Sequence, residues 1–500
     1  MKLLPLLPFL AFSAVVEARE RPVDPVDHRR YASGEVMDSI MKVKTATWDH
    51  YRALGYFDPG RHSSTNTFRR CNNGHVTMND NGIMTKYACK NLDLTGHLTH
   101  DDLGSVDATE RIGSSIWGYT LEGREFVAIG QTDGAAFAEV VGKGWWNRVP
   151  FYGKKEGSLD YIGRLPQTPG ALPSIWREIK GYKHYAIIGS EAVAHGIQIF
   201  DFHKLLEVRS NLNRLSTATR VFSPTSDISH FADLPVGRSH NVVNAEASEH
   251  IIAVGAAPRT DTCASGLIFI DMSDPARPKR TGCASGDGYV HDAQCLIYKG
   301  PDHKYDGTEI CYGYNEDSLT IYNITDKTTT KIISRTSYEG ASYTHQGWVL
   351  DTENQEFLLL DDELDERDGA IESGRATTFV WNITSLEAPI LTGSFTSDVP
   401  SIDHNQYIKN MFSYQSNYGA GLRVLDVSSV PSDPTGKGIK EAAFFDVFPD
   451  DDDAPEPVFI GSWANYPFFR SGHIVVNTYD RGAFVVKRSK TVSRGVRAEF

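Results

Sequence analysis

The sequence predicts an all-β fold, a seven-bladed β-propeller with a disulfide-stapled, loop-rich N-terminal cap. Three observations predict it. Polar and often histidine-bearing clusters recur at or near Trp117, Trp176, His240, His291, His345, His404 and Trp463, at intervals of 51 to 64 residues. In most cycles a later strand ends in an aromatic or aliphatic residue followed by Asp or Asn, as in Phe200-Asp201, Ile270-Asp271, Tyr322-Asn323, Trp381-Asn382 and Leu425-Asp426. Every cycle is rich in β-branched and aromatic residues, is punctuated by Gly, Asp and Pro, and lacks a sustained helical apolar period. A four-stranded unit cannot bury both faces alone, so the units must stack, and radial closure leaves only short edges.

The elements follow in chain order. Residues 1–18 read as a signal peptide: Lys2 is the positive n-region, Leu3 to Val16 is apolar, and Val16-Glu17-Ala18 fits a small-x-small cleavage site. About 14 apolar residues are too few to span a bilayer. Residues 19–47, with Pro22, Pro25 and Arg29-Arg30, read as a flexible arm or propeptide. Residues 48–110 read as the cap, with Asn91 to Leu98 as a candidate closing strand, and 111–500 as the propeller. Blade four carries extra residues around Tyr298 to Thr308. Blade five carries the acidic run Asp361-Asp362-Glu363-Leu364-Asp365-Glu366.

The net charge of -14 argues against nucleic acid or an anionic membrane as partner. Six cysteines suit an oxidising compartment, and their order suggests the local pairs Cys71–Cys89, Cys263–Cys283 and Cys295–Cys311, although sequence alone does not select a connectivity. Asn323 and Asn382 head glycosylation sequons. No nucleophile elbow, P-loop or dinucleotide fingerprint is present.

From about Cys71 to Phe484 the chain resembles the extracellular choice-of-anchor B family, which carries LVIVD-type propeller repeats. The blocks that carry the resemblance include Ser115-Ile116-Trp117-Gly118-Tyr119, Ser174-Ile175-Trp176-Arg177-Glu178-Ile179, Ser239-His240-Asn241, His291-Asp292-Ala293-Gln294, Thr344-His345-Gln346-Gly347 and Asp403-His404-Asn405. The resemblance implies secretion and a propeller, often with a C-terminal anchor. This chain shows none before Phe500, so a freely secreted form is expected. The resemblance implies no particular reaction.

The chemistry is therefore read from the repeat register. It sets His240, His291, His345 and His404 at one position in four successive blades, with Trp117, Trp176 and Trp463 in the other three. If that position faces the axis, the imidazoles with Asp403 form a site for Zn, Mn, Fe, Ni or Cu, with Asp292 and Asp403 holding the other ring nitrogens. The alternative is a row of polar side chains lining a wet channel. With a metal bound, a lyase-like reaction on a polysaccharide suits the set: the ion engages a uronate carboxylate and a base takes the adjacent proton. His291, His345, Tyr119 and Tyr407 are the candidate acids and bases. Arg177 is the carboxylate clamp and the tryptophans are sugar platforms. Metal-assisted hydrolysis uses the same ligands, and a non-catalytic module binding glycan or protein remains a competing reading. Asp361, Asp362 and Glu363 are a candidate calcium site. Glu191 and His195 sit in a turn of blade two that reaches the axis only if it lies on the same face.

Overall fold

Seven sheets follow one another round the fold, each with four antiparallel strands at its core; Arg220–Val221 adds a short parallel strand to the first, and Leu92–Leu98 supplies the fourth strand of the last. The computed structural model describes residues 19–144, 154–211, 216–367 and 374–490, so the expected signal peptide lies outside the described residues. The innermost strands of blades 1 to 7 are Gly113–Leu121, Ile179–Tyr182, Asn241–Ala245, Asp292–Ile297, Thr344–Val349, Gln406–Lys409 and Ser462–Tyr466. They contact one another round the ring, and the seventh returns to the first.

Inner and middle strands are covered by a blade on each side, which is why they lack a polar face. Arg124–Gln131 in blade 1 is buried along its whole length, and Phe137 of blade 1 stacks on Phe200 of blade 2 at 4.1 Å between centroids. The repeated Asp or Asn has a local cause. In five blades its Oδ1 accepts the N–H two residues on: Asp201 from His203, Asp271 from Ser273, Asn323 from Thr325, Asn382 from Thr384 and Asp426 from Ser428, all at 2.8–3.0 Å. This Asx turn ends the third strand and starts the chain toward the fourth.

Ring closure uses the N-terminal region. Leu92–Leu98 is the outer strand of blade 7, with Phe484 opposite His97 and Val486 opposite Leu94. The expected loop-rich cap takes a more regular form. A hairpin of His75–Asp80 and Ile83–Lys90 turns at Asn81-Gly82, whose φ values of 50° and 91° suit a tight two-residue turn. It joins the outer edge of blade 6, with Cys89 opposite Phe445. The three disulfides pair as their order suggested, and no cysteine is free.

The segment expected as a flexible arm is largely helical and docked. Asp24 caps helix α1 (Pro25–Ser33) by accepting from Val26 and Asp27, and Gly34 at φ 87° ends it. Helix α2 (Glu35–Ala53) buries Ile40, Lys44 and Trp48, a one-residue-per-turn stripe. A lysine in the middle of that stripe hides the apolar period from the sequence. The Trp48 indole packs on Trp176 at 5.1 Å and donates to the Phe459 carbonyl at 3.1 Å, fixing α2 across one mouth of the channel. Among the described residues no helix is long and apolar enough to cross a membrane.

Candidate metal centre

The four histidines stand side by side at the start of successive inner strands. Their ring centroids are 4.2 Å apart from His240 to His291, 4.3 Å from His291 to His345 and 4.4 Å from His345 to His404. Each Nδ1 faces an oxygen: Glu191 Oε1 for His240 (2.5 Å), the His345 carbonyl for His291 (2.9 Å), Asp361 Oδ1 for His345 (3.0 Å) and the Trp463 carbonyl for His404 (2.7 Å). A carbonyl only accepts, so His291 and His404 carry hydrogen on Nδ1 and present the Nε2 lone pair. Burial pushes His291 and His345 well below the ordinary imidazole range and His404 to about 4, so these rings are neutral, as metal ligation requires.

The ligand atoms that close on one another belong to His345, Glu363 and His404, all within 4.8 Å. His240 and His291 continue the arc of rings but fall outside that group. Glu363 comes from the turn after strand Phe357–Asp362 and is wholly buried. Lys44 of α2 donates to both its oxygens, at 2.7 and 2.9 Å, and the Tyr418 hydroxyl donates to Oε1. Burial alone would raise the Glu363 carboxyl, but Lys44 and then His404 hold it below the usual carboxylate range.

The supporting shell differs from the one expected. Asp292 and Asp403 touch no imidazole; Glu191, Asp361 and two carbonyls take that role. Asp292 Oδ1 accepts its neighbour's N–H, from Ala293, and burial raises its carboxyl to about 6 against the opposing charge of Lys180. Asp403 is buried with both carboxylate oxygens free of hydrogen bonds among the described residues. Glu191 reaches the arc, whereas His195 lies in the wall against Arg177. Asp361 is hydrogen-bonded to His345 Nδ1 and accepts from Gln346 and Gln406. Asp362 accepts from Tyr338, Ser342 and Tyr343. Donors therefore already hold the oxygens of the expected calcium site.

The register of the tryptophans is corrected in two of three blades. Ile179 pairs with Ile188, so Glu178, not Trp176, precedes the paired strand as His291 and His240 do. Trp176 lies beneath Trp48 at the helix-covered mouth. In blade 1 the pairing shifts between Gly113 and Ile116, so Ser114 and Ser115 occupy the arc and Trp117 stands further along. Trp463 is where expected, with its ring 5.5 Å from His404 and its indole donating to Glu178 Oε1 at 2.9 Å. Arg177 is fully buried in the wall and engages the Gln131 carbonyl at 2.9 Å and His195 Nε2 at 2.6 Å. It is not free to clamp a substrate. Tyr119 stacks on Phe202 away from the axis.

Tyr407 is on the axis, at the end away from α2. There Lys180 donates to its hydroxyl at 3.1 Å and lies 5.7 Å from the Trp117 ring. Trp117, Trp348, Tyr466, Phe468 and Lys180 line a cavity of about 390 Å³ at this mouth. Lys44, Glu363 and Lys180 were not assigned these places from sequence. The one signal for Lys44 is its spacing with Ile40 and Trp48.

No protein-family model matches the chain, and no curated protein does. Among solved structures it is similar to the computationally designed Ika8 protein, at 9% identity and TM-score 0.42, over 87% of this chain and 98% of that one. It is also similar to a chain of the COPII outer coat vertex on membranes, at 7% identity and TM-score 0.46, over 77% of this chain and 86% of that one. A chain of the COPII coat assembled on membranes matches at 7% and 0.46, over 77% and 48%. These likenesses carry no argument about function; the blade count stands on the strand topology.

Proposed function

We propose that this protein is a secreted, metal-dependent β-propeller enzyme acting on an extracellular carbohydrate. The observation that carries the reading is the closure of His345, Glu363 and His404 into one buried group whose imidazoles are neutral and held from behind. Such a set, with two nitrogens and one carboxylate oxygen, suits a first-row divalent ion with positions left for water or substrate. The channel mouth opposite α2 supports a carbohydrate: Trp117 and Trp348 offer ring platforms and Lys180 a cation. Lyase-like chemistry on a uronate remains the proposed reaction: an ion held by His345, Glu363 and His404 would acidify the proton beside the carboxylate, a base would take that proton and the C–O bond to the leaving sugar would break, while Lys180 at the opposite mouth would replace Arg177 in binding the substrate. The apolar leader, the bridged cysteines and the sequons at Asn323 and Asn382 support a secreted glycoprotein, and membership of the choice-of-anchor B family belongs to the same proposal.

The test is elemental analysis of natively purified protein, followed by a screen of uronate polysaccharides for ultraviolet absorbance of an unsaturated product. The content of transition metal is expected to fall by one equivalent, together with activity, in His345→Ala and in His404→Ala. Protein without metal, indifferent to chelation, overturns the reading. One observation favours a second reading, a non-catalytic binding protein for glycan or protein: Lys44 already neutralises Glu363, and α2 covers that mouth.

A further inference from the structure

The Asx turn that ends the third strand is used in five blades, and in blades 3 to 6 the residue two places on is Ser273, Thr325, Thr384 or Ser428. Blade 2 departs from this pattern and places His203 there. It also places a second histidine, His184, in the turn between Ile179–Tyr182 and Tyr185–Ile188, across from Asp201. The two rings lie 4.7 Å apart at 76°. One ligand atom from each of His184, Asp201 and His203 falls within 4.8 Å of the other two.

We propose that His184, Asp201 and His203 form a second metal site, where the turn after the inner strand of blade 2 meets the end of its third strand, for a zinc-class divalent ion. The free atoms match that chemistry. Asp201 Oδ1 is taken by the backbone N–H of His203 at 2.9 Å and by its Nδ1 at 2.8 Å. His203 Nδ1 is thus the nitrogen that faces the carboxylate and would exchange this hydrogen bond for an ion, Asp201 Oδ2 makes no hydrogen bond among the described residues, and His184 Nε2 stands 3.9 Å from Oδ2. Two imidazoles and one carboxylate leave a position open for water or a fourth ligand.

The scaffold is rigid. The His184 ring packs at a tilt against Tyr185, 4.1 Å between centroids, and Tyr185 pairs with Asp201 in the sheet. The adjacent lysine does not fill the gap, because Lys183 pairs with Glu249 of blade 3 at 3.3 Å.

The site is tested by zinc titration calorimetry of the chelator-stripped full chain, comparing wild type with His203→Ser and His184→Asn. Serine is what blade 3 carries at this place, so the fold should be kept, and melting temperature checks it. The expected result is that each variant binds one zinc equivalent fewer than wild type. The loss is expected equally in a His345→Ala background, which separates this site from the axial one. Wild type and His203→Ser binding the same number of zinc ions with the same affinity would overturn the proposal, whatever the axial histidines do.

Discussion

Replacing Lys44 by Met probes the axial group most directly. The substitution keeps the length of the side chain in the α2 stripe and removes only the ammonium. Glu363 is fully buried and takes both short bonds from Lys44, so the variant leaves its carboxylate with the Tyr418 hydroxyl and His404, whose Nε2 is 3.6 Å away. Breaking a buried ion pair from one side costs about 3–5 kcal/mol. Coulomb attraction of about 4 kcal/mol at close range in an effective dielectric near 20 agrees with it. Urea denaturation of chelator-stripped protein at neutral pH is the assay, with Glu363→Gln and the double variant completing a cycle. Each single variant should lose several kcal/mol, and the double variant clearly less than their sum. The ammonium also repels any cation at His345 and His404, so Lys44→Met should bind zinc at the axis at least about tenfold more tightly, or about 1.4 kcal/mol. A Lys44→Met protein within about 1 kcal/mol of wild type, or strictly additive single variants, would refute the reasoning.

Three further outcomes are expected. Replacing Cys71 and Cys89 together by Ser should lower stability by about 3 kcal/mol, the chain-entropy value for a loop of this size, read by urea denaturation; unchanged stability would show that the hairpin on blade 6 needs no staple. Leu94→Ala in the closing strand should cost about 2–5 kcal/mol, because Leu94 is fully buried, and should speed amide exchange along Ala483–Arg488; exchange confined to residue 94 would argue against ring closure there. Burial raises Asp446 from 3.8 to about 7. A raised acid favours the folded state while protonated, so its contribution is complete below the lower value and is lost as pH rises to the upper one. Asp446→Asn should therefore gain stability relative to wild type across that window, and parallel pH–stability curves would contradict it.

Much of the fold was legible because propeller repeats write their local chemistry into the chain. The Asp or Asn marker is an Asx turn whose partner lies two residues away, and the disulfides join cysteines 16 to 20 residues apart. The closing strand was legible as a strand left over before the first full cycle. The histidine arc was legible for the same reason, since one register position in four successive blades faces one place. Helix α2 was not, because the buried stripe that docks it is broken by a charged residue whose partner is distant.

The sequence by itself pointed to the seven blades and to the row His240, His291, His345 and His404, and it suggested the cysteine partners and the closing strand that the structure then selected. All depend on short-range periodicity, which repeats can display. Only the tertiary structure decided which atoms close into a group. Lys44 reaches Glu363 across 319 residues, Trp463 reaches Glu178 across 285, and Trp117, the fifth residue of its inner strand, stands with Lys180 and Trp348 at the opposite mouth. Neighbours brought together by ring closure leave no local trace, so their charges and hydrogen bonds become readable only once the ring is closed.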